Sequence, residues 1–140
     1  MHRRHFAMFG LLALIGSVPT EARGRTAKAS TRGHAKRGVA VWYGEDRHGQ
    51  TMANGRRFDQ WAMTGASVHF ALGARVRVTD LGTRKSVEVT ITDYTIPGSR
   101  VLIDLSHAAG RALGIETKGK ARVEVVPIGF DPNQVRQRQG

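Results

Sequence analysis

Two stretches of strict alternation constrain this chain more than any other feature. Arg75-Val76-Arg77-Val78-Thr79 and Ser86-Val87-Glu88-Val89-Thr90-Ile91-Thr92 put an apolar or small side chain at every second residue, which is the period of a strand with one buried face and not that of a helix. The connection between them, Asp80-Leu81-Gly82-Thr83-Arg84-Lys85, is mostly polar and contains a glycine, so the pair reads as a hairpin. Arg122-Val123-Glu124-Val125-Val126 repeats the pattern near the end, and Val39 to Trp42 begins it. The clearest helix signal has Ser106 as N-cap, Ala109, Ala112 and Leu113 on one face and Gly114 as C-cap. A second short turn starts at Asp59 and carries Trp61 and Met63. Many short strands with one or two brief helices in about 90 residues predict a mainly β domain closed into a small barrel, which leaves no sheet edge exposed.

The flanks are of a different kind. His2-Arg3-Arg4-His5 is a basic start, Phe6 to Val18 is an apolar stretch of 13 residues, and Thr20 and Ala22 are small. Together, residues 1–22 predict a signal peptide, because 13 apolar residues fall short of the roughly 20 that span a bilayer. The expected product is exported to the periplasm or beyond, in the cell envelope or secreted, with no stable membrane span after cleavage. The chain has no cysteine, so neither a disulfide framework nor a lipid-bearing cysteine contributes. Losing residues 1–22 removes Arg3, Arg4 and Glu21 and leaves 20 basic and 10 acidic residues. Six of the positive charges fall in residues 23–37, which contain no acid and almost no large apolar side chain. Such a stretch cannot bury enough surface to fold and is expected to be a disordered basic linker that draws the domain toward anionic envelope polymers. Nucleic acid is not expected as a partner, since export leads away from it and no nucleic-acid module is legible. The folded domain is expected over residues 38–130, and the polar residues 131–140 as a flexible tail.

Inside the domain, aromatics, glycines and isolated acids recur in a fixed order. Gly38-Val39-Ala40-Val41-Trp42-Tyr43-Gly44 is followed by His48-Gly49, by Met52-Ala53-Asn54-Gly55-Arg56-Arg57-Phe58-Asp59 and by Met63-Thr64-Gly65-Ala66-Ser67. Val76-Arg77-Val78-Thr79-Asp80-Leu81, Thr92-Asp93-Tyr94-Thr95-Ile96-Pro97-Gly98 and Arg100 to Ala109 complete the series. Residues 38–126 thereby resemble the RlpA family of septal lytic transglycosylases, whose fold is the six-stranded double-psi β-barrel shared with expansins. What the resemblance implies is non-hydrolytic cleavage of the β-1,4 bond between N-acetylmuramic acid and N-acetylglucosamine, leaving 1,6-anhydro-muramyl ends during cell-wall remodelling. The expected partner is the peptidoglycan glycan strand.

Such a reaction needs a proton for the leaving oxygen and a base for the C6 hydroxyl, and a well-placed carboxyl group can serve both in turn. Turn chemistry alone reads Asp93 as a turn-capping aspartate; the resemblance makes it the catalytic acid. Around it Trp42, Tyr43, His48, Asn54, Arg56 and Ser67, together with His69, which lies two residues beyond Ser67 and on the same face of an extended stretch, are candidate substrate-binding residues. Trp42 and Tyr43 suit stacking on a sugar ring, although neighbours on a strand face opposite ways and one of them should be core. His48 lines the groove or sits in a surface turn. Two positions depart from the family pattern, Arg56 standing for a glutamate and Ser67 for a histidine. An arginine within about 4–6 Å of Asp93 would lower its pKa by roughly 1–3 units and oppose an acid role, while His69 could replace the missing imidazole. Asp59 is expected as a cap and Asp104 as a hydrogen-bond partner for backbone where the barrel strands cross. No cofactor or metal is expected: His34, His48, His69 and His107 lack ligand spacing. Loss of the glutamate and histidine favours the alternative of a non-catalytic, expansin-like glycan-binding domain, and a secreted protein-interaction barrel is the third possibility.

Overall fold

The computed structural model describes residues 33–135; the expected signal peptide, most of the expected linker and residues 136–140 lie outside the described residues. Strands β1 (Lys36–Tyr43), β2 (Thr64–Ala66), β3 (Ala74–Asp80), β4 (Ser86–Asp93), β5 (Ile103–Ser106) and β6 (Lys120–Phe130) close into a barrel in the order β1-β5-β2-β4-β3-β6. The β1–β5 and β2–β4 pairs are parallel and the rest antiparallel. A helix α1 (His107–Leu113) and 3-10 turns at Glu45–Arg47 and Pro132–Gln134 complete it. The mainly β, six-stranded barrel is the fold that the alternation and the resemblance predict.

The alternation explains the inside and the outside. Val76, Val78, Val87, Val89, Ile91, Val123 and Val125 point inward with Ile103, Leu105, Leu113 and Ile115, each fully buried Val, Ile or Leu stabilising by roughly 1.5–3 kcal/mol. Outside, Arg75 and Arg77 each meet Glu88 at 3.2 Å, with about half of each side chain exposed; pairs of that kind add little. The β3–β4 hairpin forms where expected, Arg77 facing Glu88 and Val78 facing Val87. Its turn is tied by Asp80, which is buried and accepts N–H bonds from Gly82 (2.8 Å) and Thr83 (3.1 Å) on one oxygen and from the Lys118 ammonium (3.0 Å) on the other.

α1 also begins and ends where predicted. Ser106 Oγ accepts the Ala109 N–H at 3.2 Å, and Gly114 terminates the helix at φ 86°, a left-handed conformation that favours glycine. The helix lies on the first strand so closely that a Cβ on Gly110 would stand 2.8 Å from Trp42 Cβ. At Asp59 the chain makes a turn and no helix: Asp59 Oδ1 accepts the Trp61 N–H at 2.9 Å, leaving Trp61 and Met63 exposed.

Two boundaries differ from expectation. β1 starts at Lys36, inside the stretch assigned to the linker, because Lys36 and Arg37 pair with Val125 and Glu124 of β6 and Arg37 Nε donates to the Glu124 carboxylate at 2.9 Å. At the other end residues 131–134 are part of the fold and no flexible tail, since the Asp131 N–H donates to Gly73 O at 2.7 Å and Asp131 caps the following turn through Asn133 N at 2.9 Å.

Candidate active site

β2 is three residues long, and its last residue sets up the site. Ala66 pairs with Asp93 on β4 and with Asp104 on β5, after a register shift between Gly65 and Ala66. Residues paired directly across a sheet project to one face, so Ala66 stands between two carboxyl groups whose strands are two spacings apart, about 10 Å at the backbone. An alanine there leaves room. Asp93, Asp104 and Ala66, with Tyr43, Arg47 and Thr95, line a cleft of about 70 Å³ at the ends of β1, β4 and β5.

The two acids are held differently. Asp93 Oδ1 accepts N–H bonds from Ala53 at 3.0 Å and Tyr94 at 2.8 Å, which fix the carboxylate toward the cleft. Asp104 Oδ1 is buried with no hydrogen-bond partner, contrary to the expectation that it bonds backbone. Burial pushes the Asp104 carboxyl up to about 6; the Arg47 guanidinium pulls in the opposite direction, and the nearby Asp46 adds to the rise. Tyr43 reaches the same cleft. Its hydroxyl is buried and unpartnered, and its pKa is raised by burial first and then by Asp104 and Asp93, with Arg47 opposing. Thr95 Oγ1 is a third buried atom without a partner. Buried polar atoms are nearly always hydrogen-bonded in folded proteins, and of the five buried side-chain atoms without a partner among the described residues, three belong to residues lining this cleft.

Trp42 and Tyr43 divide as adjacent strand residues must. Tyr43 packs on Phe58, ring centroids 4.6 Å apart, with the Arg47 guanidinium 5.6 Å from its own ring. Trp42 stacks on the His107 imidazole at 4.6 Å, and Trp61 meets that imidazole at 4.9 Å. Trp42, Tyr43, Gly44 and His107 border a broader hollow of about 440 Å³ beside the acid cleft, with Tyr43 common to both. Neither aromatic is wholly core, because the barrel end leaves both half-buried.

With this geometry in view, likeness to known proteins becomes informative. Residues 35–125 match the family model described as lytic transglycolase. The chain belongs to the lytic transglycolase family. Among its relatives, the probable endolytic peptidoglycan transglycosylase RlpA of Synechocystis sp. is 46% identical over 96 residues, covering 68% of this chain and 30% of the relative. The endolytic peptidoglycan transglycosylase RlpA of Pseudomonas aeruginosa is 44% identical over 103 residues, covering 74% and 30%. This chain therefore spans about a third of the length of these relatives. A Clavibacter michiganensis expansin structure is 26% identical with a TM-score of 0.55, covering 71% of this chain and 52% of the other, in keeping with a double-psi barrel.

The positions at which this family member departs from the RlpA pattern are engaged elsewhere. Arg56 does not point at Asp93; its Nη2 donates to Asn133 O at 2.8 Å. Ser67 is fully buried, donating to Leu102 O at 2.7 Å and accepting the His69 N–H at 3.1 Å, so it is a fold residue with no atom left for a ligand. His69 is exposed, and it is absent from the lining of the acid cleft; the stretch 67–70 bends where an extended strand would have brought its side chain to the face of Ser67. His48 Nδ1 accepts the Gln60 N–H at 3.2 Å, pinning a turn. Asn54 is buried within its loop, its Oδ1 accepting the Arg56 N–H at 3.0 Å. Sequence reasoning passed over Arg47 and Thr95 and gave Asp104 a structural role only. For Asp104 a signal existed: an acid between Ile103 and Leu105 in a strand this short must be buried or at a site.

Proposed function

We propose that this domain is an endolytic peptidoglycan lytic transglycosylase in which Asp104 is the general acid and Asp93 the base. The observation that carries the reading is the pair of aspartates flanking Ala66, one oriented by two N–H donors and the other raised to about 6 by burial. With the glycan strand in the cleft, Asp104 gives its proton to the glycosidic oxygen as the C1–O4 bond breaks. Asp93 takes the proton of the muramyl C6 hydroxyl as O6 bonds to C1, so no water is consumed and a 1,6-anhydro end results. A group with a pKa near 6 keeps about one proton in ten at pH 7, and a positioned acid or base is worth roughly 10²–10⁴-fold. The Tyr43 and Thr95 hydroxyls supply hydrogen bonds to sugar hydroxyl or acetamido groups. The names of the relatives, with peptidoglycan as their substrate, support this choice of polymer. Export to the cell envelope and attraction of residues 23–37 to anionic polymers complete the proposal.

The engagement of Arg56 and Ser67 favours a second reading, a glycan-binding barrel without turnover, since neither position offers an acid or an imidazole. The test is to incubate residues 23–140, and the Asp93→Asn and Asp104→Asn variants, with sacculi stripped of stem peptides and to analyse soluble sugars by mass spectrometry. Anhydro-muramyl products from the parent alone support the transglycosylase. No product from any of the three, with all sedimenting with the sacculi, establishes the binding domain in its place.

A further inference from the structure

Where the family pattern carries a glutamate, Arg56 reaches a segment beyond the residues the family model matches, which end at 125. β6 runs on to Phe130, and the chain then folds back: Asp131 N donates to Gly73 O at 2.7 Å, and a Cβ on Gly73 would stand 2.6 Å from Asp131 O. Gly73 has φ +88°, so a glycine is needed there on both counts. Asp131 caps the Pro132–Gln134 turn through Asn133 N, and its second oxygen accepts from the Gln134 amide at 3.3 Å. The turn thus rests on the barrel, and it presents two acceptors to the 52–56 loop.

Arg56 Nη2 donates to Asn133 O at 2.8 Å, and Asn54 Nδ2 donates to Gln134 Oε1 at the longer distance of 3.4 Å. The loop is tight within itself, Met52 N bonding Arg56 O at 2.7 Å and Gly55 N bonding Met52 O at 2.9 Å. Its inner side holds the acid: Asn54 N donates to Thr92 O at 3.3 Å, and Ala53 N to Asp93 Oδ1 at 3.0 Å. Hydrogen bonds from Arg56 to Asn133 and Asn54, and the peptide bond from Asn54 to Ala53, therefore connect the C-terminal turn to the Ala53 amide on Asp93.

We propose that Arg56 is a positioning residue: by clamping the 52–56 loop to the C-terminal turn, it holds the Ala53 amide against Asp93. A charged donor on a carbonyl is among the stronger hydrogen bonds, and an arginine spans a gap that a glutamate could not bridge, because a carboxylate has no proton to give the carbonyl. The turn outside the family match and the arginine inside it thus work as one device. Asp93's part in turnover comes from the transglycosylase reading above, whereas the clamp stands on geometry alone.

The experiment has one arm for each. Amide hydrogen exchange on the ¹⁵N-labelled chain of residues 23–140 is compared among the parent, Arg56→Ala, Arg56→Lys and a truncation after Phe130. Expected is an increase of about five- to tenfold in exchange at Ala53 for Arg56→Ala and for the truncation, the loss of one hydrogen bond being worth about that factor. Amides of β3 and β6 should stay within about twofold, and Arg56→Lys, which keeps a donor, should restore most of the protection. On sacculi, Arg56→Ala should lose about tenfold in kcat with KM within twofold, and Arg56→Lys should recover it. Unchanged Ala53 exchange in Arg56→Ala overturns the clamp. If the parent releases no sugar while Ala53 exchange responds as stated, the clamp stands and the transglycosylase reading falls.

Discussion

Asp80 and Asp104 lie at opposite ends of the barrel and make opposite use of a carboxyl group. At the hairpin end, burial pushes the Asp80 carboxyl up, but Lys118 and the N–H groups of Thr83 and Gly82 outweigh it and hold the group below the ordinary carboxylate range. At the cleft end Asp104 has an oxygen without a partner and is raised to about 6. A carboxylate whose lone pairs are filled by its own chain is a structural tie. One left unfilled beside a cleft retains capacity for a ligand's proton, and strongly shifted groups of that kind mark candidate functional sites.

The largest expected effect separates the two directly. Asp104→Asn should cut release of anhydro sugars by roughly 10²–10⁴-fold, whereas Asp80→Ala should leave turnover per folded molecule within about twofold of the parent. In urea unfolding the order reverses. Asp80→Ala removes the tie of the turn and should cost about 2–3 kcal/mol, while Asp104→Asn should gain roughly 1–2 kcal/mol at pH 7 after allowing for its partly exposed edge. The sign follows from linkage. Between the ordinary value of 3.8 and about 6 the folded state holds more protons at Asp104 than the unfolded state, so stability is full at lower pH and falls as pH rises through that window. The asparagine variant should lack this fall, and equal pH slopes for parent and variant would break the contrast.

A smaller effect sharpens it. With Asp104 as the acid, kcat/KM should fall about tenfold per unit above pH 6, and a profile flat to pH 8 would remove that role. Ala66→Val places two methyl groups between the acids and should lower turnover per folded molecule by about tenfold, at a cost of about 1–3 kcal/mol in stability because Ala66 is buried. Smallest of all, His69→Ala should stay within about twofold of the parent in product release, the side chain being exposed away from the cleft.

The parts of the fold that depend on neighbours in sequence were legible in it. Alternation fixed the β3–β4 hairpin, and Ser106 and Gly114 bracketed α1, since caps and strand period are local properties. What escaped depends on pairing across the barrel. Asp104 looks like a strand residue until β2 sets Ala66 between it and Asp93, and Arg56 looks like a groove residue until a turn 77 residues later offers Asn133 O. The polar composition of residues 131–134 suggested a tail because their three hydrogen bonds to distant residues, with Gly73, Arg56 and Asn54, leave no compositional trace.

β1 takes all its partners from β5 and β6, and β6 alone joins β1 to β3. β1 can pair with β5 first, but the barrel cannot close until its last strand exists. Pairing strands so far apart in sequence makes this closing step slow compared with the formation of the local β3–β4 hairpin. A growing chain of this protein should stay open and threadable until residues 120–130 emerge, and then close its barrel in one late step.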